Sequence, residues 1–212
     1  MPDSTDPAGR PRRSRAAERI LREAMRLFAE RGYERTSIAD IQAAAGLAPG
    51  SGALYKHFRS KEAVLAAGME DFVAGAERAR ELIRTVPGPA EDALGVLARA
   101  AMQMLQDDQD VMRIVWRELE QFPELLARVR ERRMQTTYAA LADWLRDRAD
   151  RGELRVEDPE ATAAVLLGGL TSFKVFHTLL GEPPARLDDD RFVQAWLRVM
   201  LRGLLPDTRP GS

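Results

Sequence analysis

Cysteine is absent from the 212-residue sequence, and histidine occurs only twice, at His57 and His177. The lack of cysteine excludes disulfides and thiolate metal sites, and it is typical of proteins that work in a reducing cytoplasm. The first residues also contain no apolar stretch that could act as a signal peptide. We therefore expect a cytoplasmic protein without a bound metal or cofactor.

Sequence features of common enzyme classes are equally scarce. The chain has neither the glycine-flanked serine elbow of a hydrolase nor a glycine-rich loop of the kind that cradles phosphate. The acidic groups at 107–110 and 188–190 stand at expected helix starts, where a favourable interaction with the helix dipole explains them. The sequence thus predicts no catalytic residues, and a small helical enzyme is kept only as an alternative.

No segment alternates apolar and polar residues as a half-buried strand would, whereas helical spacing of apolar residues recurs throughout. The thirteen uncharged residues from 161 to 173 are too few to span a bilayer. We therefore predict an all-α protein of about nine helices without a membrane segment. Beyond residue 60, capping residues, glycines and prolines predict a short helix after Asp110 and longer ones over about 61–85, 90–106, 123–152, 158–180 and 188–206.

The stretch 36–61 is the most informative part of the chain. Ser37 can cap a short helix, and Asp40 can complete a capping box with it. Gly46 suits the end of that helix, because glycine adopts the left-handed conformation without strain. A second short helix is expected over about 53–57. Two short helices joined by a glycine turn are typical of the helix-turn-helix motif, whose second helix enters the major groove of DNA.

Charge is divided unevenly along a chain whose net charge is −1. Residues 1–61 contain twelve basic and seven acidic residues, which gives this part +5 and leaves −6 for the remainder. A basic amino-terminal part followed by an acidic body is suited to a single nucleic-acid-binding face. The alternative is that the charges of the first helix are merely solvated.

With these features, the first 65 residues or so resemble the DNA-binding domain of the TetR family of bacterial transcriptional regulators. The resemblance implies a three-helix helix-turn-helix domain over 12–60 and a helical ligand-binding and dimerisation domain over 61–206. A basic arm at 1–11 and a tail at 207–212 are expected to be flexible, because they are rich in Pro, Gly, Ser and Asp. The residues that carry the resemblance are Ile20, Ala24, Leu27, Phe28, Gly32, Tyr33, Thr36, Ser37, Ile38, Ile41, Ala45, Gly46, Leu54, Tyr55, Phe58 and Lys61.

Tyr55 and Lys61 keep the mutual spacing found in the family, so we expect them to contact phosphate. Between Gly46 and Tyr55, however, this chain has about two residues more than the commonest family spacing. The insertion leaves open which side chains at 49–53 reach base edges. The full set of expected DNA-contacting residues is Arg13, Arg15, Thr36, Ser37, Pro49, Gly50, Ser51, Gly52, Ala53, Tyr55, Lys56, His57 and Lys61.

The last two predicted helices are apolar on more sides than one domain can cover. A two-fold partner that adds its own pair of helices is the economical solution, and it would place two DNA-binding heads on the half-sites of a near-palindromic operator. The alternative is that these helices only cover their own domain. Residues expected at the dimer interface are Val165, Gly168, Gly169, Phe176, Phe192, Trp196 and Met200.

The resemblance further implies a small-molecule effector that binds in the body and changes the separation of the heads, with repression as the family default. Its identity is not readable from the sequence. The function expected is that of a ligand-responsive DNA-binding repressor, and an architectural DNA-binding protein without an effector is the alternative. Candidate pocket residues, each of which core or interface packing also explains, are Met102, Met104, Trp116, Phe122, Tyr138, Phe173 and His177.

Overall fold

The computed structural model describes residues 13–48 and 52–206. All regular structure within these residues is helical, which confirms the predicted fold class. The α-helices are α1 (Arg15–Arg31), α2 (Ile38–Ala44), α3 (Lys61–Thr85), α4 (Ala90–Asp107), α5 (Gln109–Arg117), α6 (Pro123–Arg128), α7 (Gln135–Asp150), α8 (Pro159–Leu180) and α9 (Asp189–Leu204). The expected arm at 1–11, the expected tail at 207–212 and residues 49–51 lie outside the described residues.

The chain forms two compact units. The first unit combines the residues up to Gly75 with the segment Asp110–Arg133, and the second combines Ala76–Gln109 with the residues from Met134 onward. Packing therefore divides the chain differently from the expected boundary at residue 60. That the DNA-binding domain ends at residue 60 and the ligand-binding and dimerisation domain begins there stays a prediction.

The core of the first unit is built on the apolar face of α1. The Ser14 hydroxyl caps α1 by accepting a hydrogen bond from the Ala17 N–H at 3.2 Å. Side chains from α2 and from the first half of α3 pack against the same face. The segment 110–133 belongs to this unit because it contributes three buried residues to the same core, namely Ile114, Leu125 and Val129.

The long helix predicted over 123–152 is interrupted. A π-helical turn, Val129–Met134, separates α6 from α7. Arg128 and Arg132 both donate to the Glu70 carboxylate of α3, at 3.0 and 3.3 Å. The π-helical turn thus coincides with contacts to α3, and a local helix pattern does not encode such contacts.

The second unit packs α4, α7, α8 and α9 around one apolar core. The predicted starts of α8 and α9 are confirmed, since Asp158 and Asp188 each accept a hydrogen bond from the backbone N–H three residues later. Glu153 caps the start of α4 from a distant part of the chain by accepting from the Ala90 N–H at 2.9 Å. Arg148 completes that contact through two hydrogen bonds to the same carboxylate.

Among the described helices, α8 is long and apolar enough to cross a membrane by length and composition, with a mean hydropathy of 1.5. The core helix of a soluble protein meets the same criterion. The composition of α8 is therefore no evidence of a membrane segment.

Candidate nucleic-acid interface

The capping box predicted for α2 is present. The Ser37 hydroxyl accepts from the Asp40 N–H at 3.1 Å, and the Asp40 carboxylate accepts from the Ser37 N–H at 2.8 Å. The hydroxyl also donates to that carboxylate at 2.5 Å. Hydrogen bonds from Ser37 lower the pKa of Asp40 below its ordinary value, and the hydroxyl has a larger effect than the backbone N–H. Ser37 is exposed, but its polar groups already serve the start of the helix.

The end of α2 also follows the prediction. Gly46 has φ of +65°, the left-handed conformation expected of it. The Leu47 N–H then donates to the Gln42 carbonyl at 2.8 Å. Ile41 and Ala45 are buried in the core of the first unit, so one face of α2 is fixed against α1.

The second short helix is reduced to a single 3₁₀ turn, Leu54–Lys56. Gly52 precedes it with φ of +64°, a conformation that keeps the chain out of the right-handed helix until the next residue. Among the described residues after Gly46, the helical part of the motif is therefore shorter than the stretch expected over about 53–57. Three expected DNA-contacting residues, Pro49, Gly50 and Ser51, lie outside the described residues.

The turn nevertheless presents polar side chains between two buried anchors. Leu54 and Phe58 are buried, and the Phe58 N–H donates to the Leu54 carbonyl at 2.9 Å. Between them Tyr55, Lys56 and His57 are exposed, and Tyr55 exposes 58% of its surface. The expected contacts Gly52 and Ala53 are half-buried. The turn thus offers a hydroxyl, an ammonium and an imidazole on one short surface, groups that commonly contact phosphate and bases.

Two expected DNA-contacting residues make hydrogen bonds within the domain. Thr36 is fully buried, and its hydroxyl donates to the carbonyls of Gly32 and Leu27 at 2.9 and 3.3 Å. Lys61 is half-buried, and its ammonium donates to the carbonyls of Tyr33 and Thr36 at 3.0 and 3.1 Å. The prediction for the Thr36 side chain is therefore corrected, because its only donor is used inside the domain.

The two arginines expected to contact DNA differ in their surroundings. Arg13 forms an ion pair with Asp71 and donates to the Ala67 carbonyl at 3.5 Å. Arg15 is exposed in the first turn of α1. The sequence prediction omitted Arg59, which is exposed next to the turn. Its place among the basic residues that end the motif was the sequence signal that could have identified it.

The candidate pocket residues are divided between the two units. Met102 and Phe173 are buried in the core of the second unit, where Met104, Tyr138 and His177 are half-buried. The remaining two belong to the first unit, where Trp116 is 58% exposed and Phe122 meets the Tyr33 ring edge-on at 4.9 Å.

The residues expected at the dimer interface fall into two groups. On α8, Val165 and Phe176 expose 59% and 50% of their surfaces. Gly168 has open space where a Cβ would stand. An apolar row on the outer side of α8 is therefore uncovered in the single subunit.

The other group is used within its own subunit. Trp196 is 6% exposed and lies against Gly169, where a Cβ would come within 2.9 Å of the indole Nε1. Phe192 stacks on Phe173 with ring centroids 4.0 Å apart. Met200 is half-buried against the same core. Gly169, Phe192 and Trp196 thus make contacts within the second unit, and their place at a dimer interface stays a prediction.

Lys174 is a feature that the sequence prediction missed. Only 4% of its side chain is exposed, and its ammonium donates to the Asp189 carboxylate at 2.6 Å and to the Gln106 amide oxygen at 2.8 Å. These contacts tie α8 to the end of α4 and the start of α9. The signal was available, because Lys174 is the one formally charged side chain between Glu160 and Glu182.

Comparison with known protein families gives two matches. Residues 20–67 match the model for bacterial regulatory proteins of the tetR family. Residues 92–203 match the model described as the AefR-like transcriptional repressor, C-terminal domain. The second match alone spans more than half of the chain.

Individual proteins agree with these families. The chain is 28% identical over 148 residues to the uncharacterised HTH-type transcriptional regulator YezE of Bacillus subtilis, covering 68% of this chain and 75% of that protein. It is 41% identical over 56 residues to the regulator YerO of the same organism, which covers 26% of this chain but only 19% of YerO.

Among solved structures, the fold is similar to that of a transcriptional regulator from Saccharomonospora viridis in complex with choline. The TM-score is 0.74 at 23% identity, and the likeness covers 92% of this chain and 100% of that one. At this level of identity the likeness shows the fold alone.

Proposed function

Because this chain belongs to the TetR family of bacterial transcriptional regulators, we propose that it represses transcription as a homodimer on a near-palindromic operator and is released by a small molecule. It is a DNA-binding regulator by its family models and relatives. The proposal adds the homodimer, the operator symmetry, the direction of regulation and the effector. It also takes the protein to be cytoplasmic and without enzymatic activity.

The exposed turn Tyr55–His57 carries the DNA-binding part of the proposal. Its three polar side chains stand between buried Leu54 and Phe58, so the surface that offers them is fixed to the core. Exposed Arg15 and Arg59 add positive charge in the same unit. Such a surface can make phosphate contacts that position the motif, while base contacts from the adjoining turn give sequence preference.

The experiment is footprinting of the purified protein on the DNA that flanks its own gene, repeated at rising salt concentration. We expect a protected near-palindrome that persists above the non-specific background. If each subunit contacts about four phosphates, the logarithm of affinity should fall with the logarithm of salt concentration with a slope near −7. Uniform protection without a preferred site would contradict the operator and favour the architectural alternative.

The uncovered apolar row on α8 supports the homodimer. Val165 and Phe176 lie on the same side of the helix, Gly168 lies between them, and Leu180 extends the row. On α9, Val199 is also largely exposed. Two copies of such a pair of helices can cover each other across a two-fold axis, because a self-complementary patch needs only one surface.

Replacement of Phe176 by Glu tests the homodimer. Because Phe176 is half-exposed in the subunit, the folded subunit should tolerate the charge, while the interface should lose a buried aromatic side chain. Sedimentation velocity at micromolar concentration should show a dimer for the wild type and a monomer for Phe176→Glu. Replacement of exposed Glu157 by Gln serves as the control. A wild-type monomer at this concentration would contradict the proposal.

The effector is proposed to bind in the second unit, near Met102, Tyr138, Phe173 and His177. Apolar side chains with a few polar groups are typical of small-molecule sites. The choline complex of the Saccharomonospora viridis protein supports a small-molecule site in a protein of this fold. A compound that stabilises the protein thermally but leaves operator affinity unchanged would contradict the proposed release.

A further inference from the structure

Three side-chain contacts in a row join α8 to α9 in the second unit. In order along α8, the pairs are Gly169 with Trp196, Phe173 with Phe192, and Lys174 with Asp189. The row covers less than two turns of α8 and about two turns of α9. The contact between the two helices is thus aromatic along most of its length and ends in a buried ammonium.

The ammonium of Lys174 can accommodate a further acceptor. Of its three N–H donors, one donates to the Asp189 carboxylate at 2.6 Å and another to the Gln106 amide oxygen at 2.8 Å. The third makes no hydrogen bond to the part of the chain that the structure describes. Because only 4% of the side chain is exposed, bulk water cannot replace the acceptors that this buried charge requires.

The indole N–H of Trp196, at the other end of the row, is a second buried donor. Trp196 is 6% exposed, and its Nε1 has no hydrogen-bond partner among the described residues. The same holds for Trp144 Nε1 and Arg148 Nε of α7, and all three atoms are donors. Buried donors are normally paired with protein, ordered water or a bound molecule. The side chains of this core therefore require acceptors.

Asp189 is the acceptor that an incoming acid can replace. Its side chain is 46% exposed, in contrast to that of Lys174. The start of α9 does not depend on it, because the neighbouring Asp188 carboxylate caps the helix by accepting from the Arg191 N–H at 2.8 Å. A displaced Asp189 carboxylate can be hydrated while the acid neutralises the ammonium, so the exchange leaves no charge unpaired in the core.

From these observations we propose that the effector is a small organic acid whose carboxylate binds the ammonium of Lys174. Its apolar part lies beside Phe173, in the core where the effector site is proposed. The inference names the chemical class of the effector, and its link to operator release rests on the proposed function. Binding of the acid itself can be measured without DNA.

Removal of the internal carboxylate gives a test that does not require the natural effector. In Asp189→Ala the buried ammonium loses its counter-ion, which an added carboxylate should replace. Thermal unfolding is followed with benzoate, phenylacetate and 3-phenylpropionate, each beside its neutral primary amide at matched ionic strength. An acid at about five times its Kd should raise the Tm of Asp189→Ala by about 2–4 °C, and the amides should not.

Variants without the ammonium provide the controls. Lys174→Met, alone and combined with Asp189→Ala, should show no rise in Tm with acid. Arg198→Gln removes an exposed positive charge from α9 and should respond to the acids as the wild type does. A rise of equal size in the variants that lack Lys174, or the absence of a rise in Asp189→Ala, would overturn the proposal.

Calorimetric titration then compares affinities for the tightest-binding acid. Lys174→Met should weaken binding by about tenfold or more, since a charge-assisted hydrogen bond is lost. Asp189→Asn should strengthen binding, because the competing carboxylate becomes neutral. A poorly folded variant cannot gain affinity, so this second variant keeps the test decisive. Unchanged or weaker binding by Asp189→Asn would overturn the proposal, as would amides that bind as tightly as the acids.

Operator binding with and without the acid separates this inference from the proposed function. If the acid bound at Lys174 but operator occupancy stayed the same, the proposed release would fail and the acid site would stand. If a compound released the operator equally from the wild type and from Lys174→Met, the proposed release would stand and the acid site would be refuted as the effector site.

Discussion

The adjacent glycines of α8 allow packing within one subunit to be separated from contact with a second copy. A Cβ at Gly169 would stand 2.9 Å from Nε1 and 3.2 Å from Cδ1 of the Trp196 indole, which is rigid and buried. A Cβ at Gly168 would meet nothing within 4 Å. The same substitution by alanine therefore has opposite consequences at two neighbouring positions.

The magnitudes follow from two opposing effects. Alanine in place of glycine inside a helix contributes up to about 1 kcal/mol to stability, and within the subunit nothing opposes this gain at Gly168. At Gly169 the added methyl group forces Trp196 to shift, and such overpacking typically costs about 1–3 kcal/mol. We expect the two variants to differ by about 2 kcal/mol in the free energy of unfolding. For a chain of this size that corresponds to a difference in Tm of roughly 4–8 °C.

The assay is thermal and urea unfolding of Gly168→Ala and Gly169→Ala at several protein concentrations. Concentration must be varied because association with a second copy stabilises the folded state by mass action. Should the backbone of a partner approach Gly168, the methyl group there would weaken the dimer in sedimentation while the subunit itself gains stability. If Gly169→Ala unfolded at or above the temperature of Gly168→Ala, the packing of Trp196 would not be limiting and this reasoning would be refuted.

Three further predictions concern charged groups. In urea unfolding, Asp189→Ala should lower stability more than Lys174→Met does. Asp189→Ala leaves the buried ammonium without its counter-ion, whereas Lys174→Met leaves a half-exposed carboxylate that water can hydrate. Equal losses of stability in the two variants would contradict this. Burial raises the pKa of Asp110, so its ionised form opposes folding, and Asp110→Asn should raise the Tm at pH 7 but not at a pH where the wild-type carboxyl is protonated. Asp40 has a lowered pKa, so its contribution is complete above the ordinary aspartate range and is lost as the pH falls through the lowered value. The difference in Tm between the wild type and Ser37→Ala should therefore shrink in acid, and a constant difference would argue against the capping box as its source.

Local chemistry predicted the helix starts well. The capping residues Ser37, Asp158 and Asp188 each bond the backbone N–H three residues on, and this contact depends on neighbours in sequence alone. The left-handed Gly46 is equally local. Features of this kind can be deduced from the chain without knowledge of its tertiary contacts.

Side-chain direction was harder to predict. The basic character of Lys61 is evident in the sequence, but the carbonyls that bind it lie 25 and 28 residues away. The same holds for Phe122, which an apolar pattern cannot distinguish from a pocket residue until Tyr33 is seen beside it. The π-helical turn at Val129–Met134 likewise accompanies contacts with Glu70 that helical periodicity does not contain.

The arrangement of α8 is the strongest physical argument for self-association. An isolated subunit would be expected to turn Lys174, the one charged side chain of this helix beyond its first turn, toward water and its large apolar side chains inward. Here Lys174 is buried on Asp189, while Val165 and Phe176 face outward. Burying a charge while exposing an aromatic ring is unfavourable for a single copy, and a second copy over the exposed row removes the part that comes from the exposed ring. The ion pair then keeps the apolar row on the outside, where only another apolar surface can cover it.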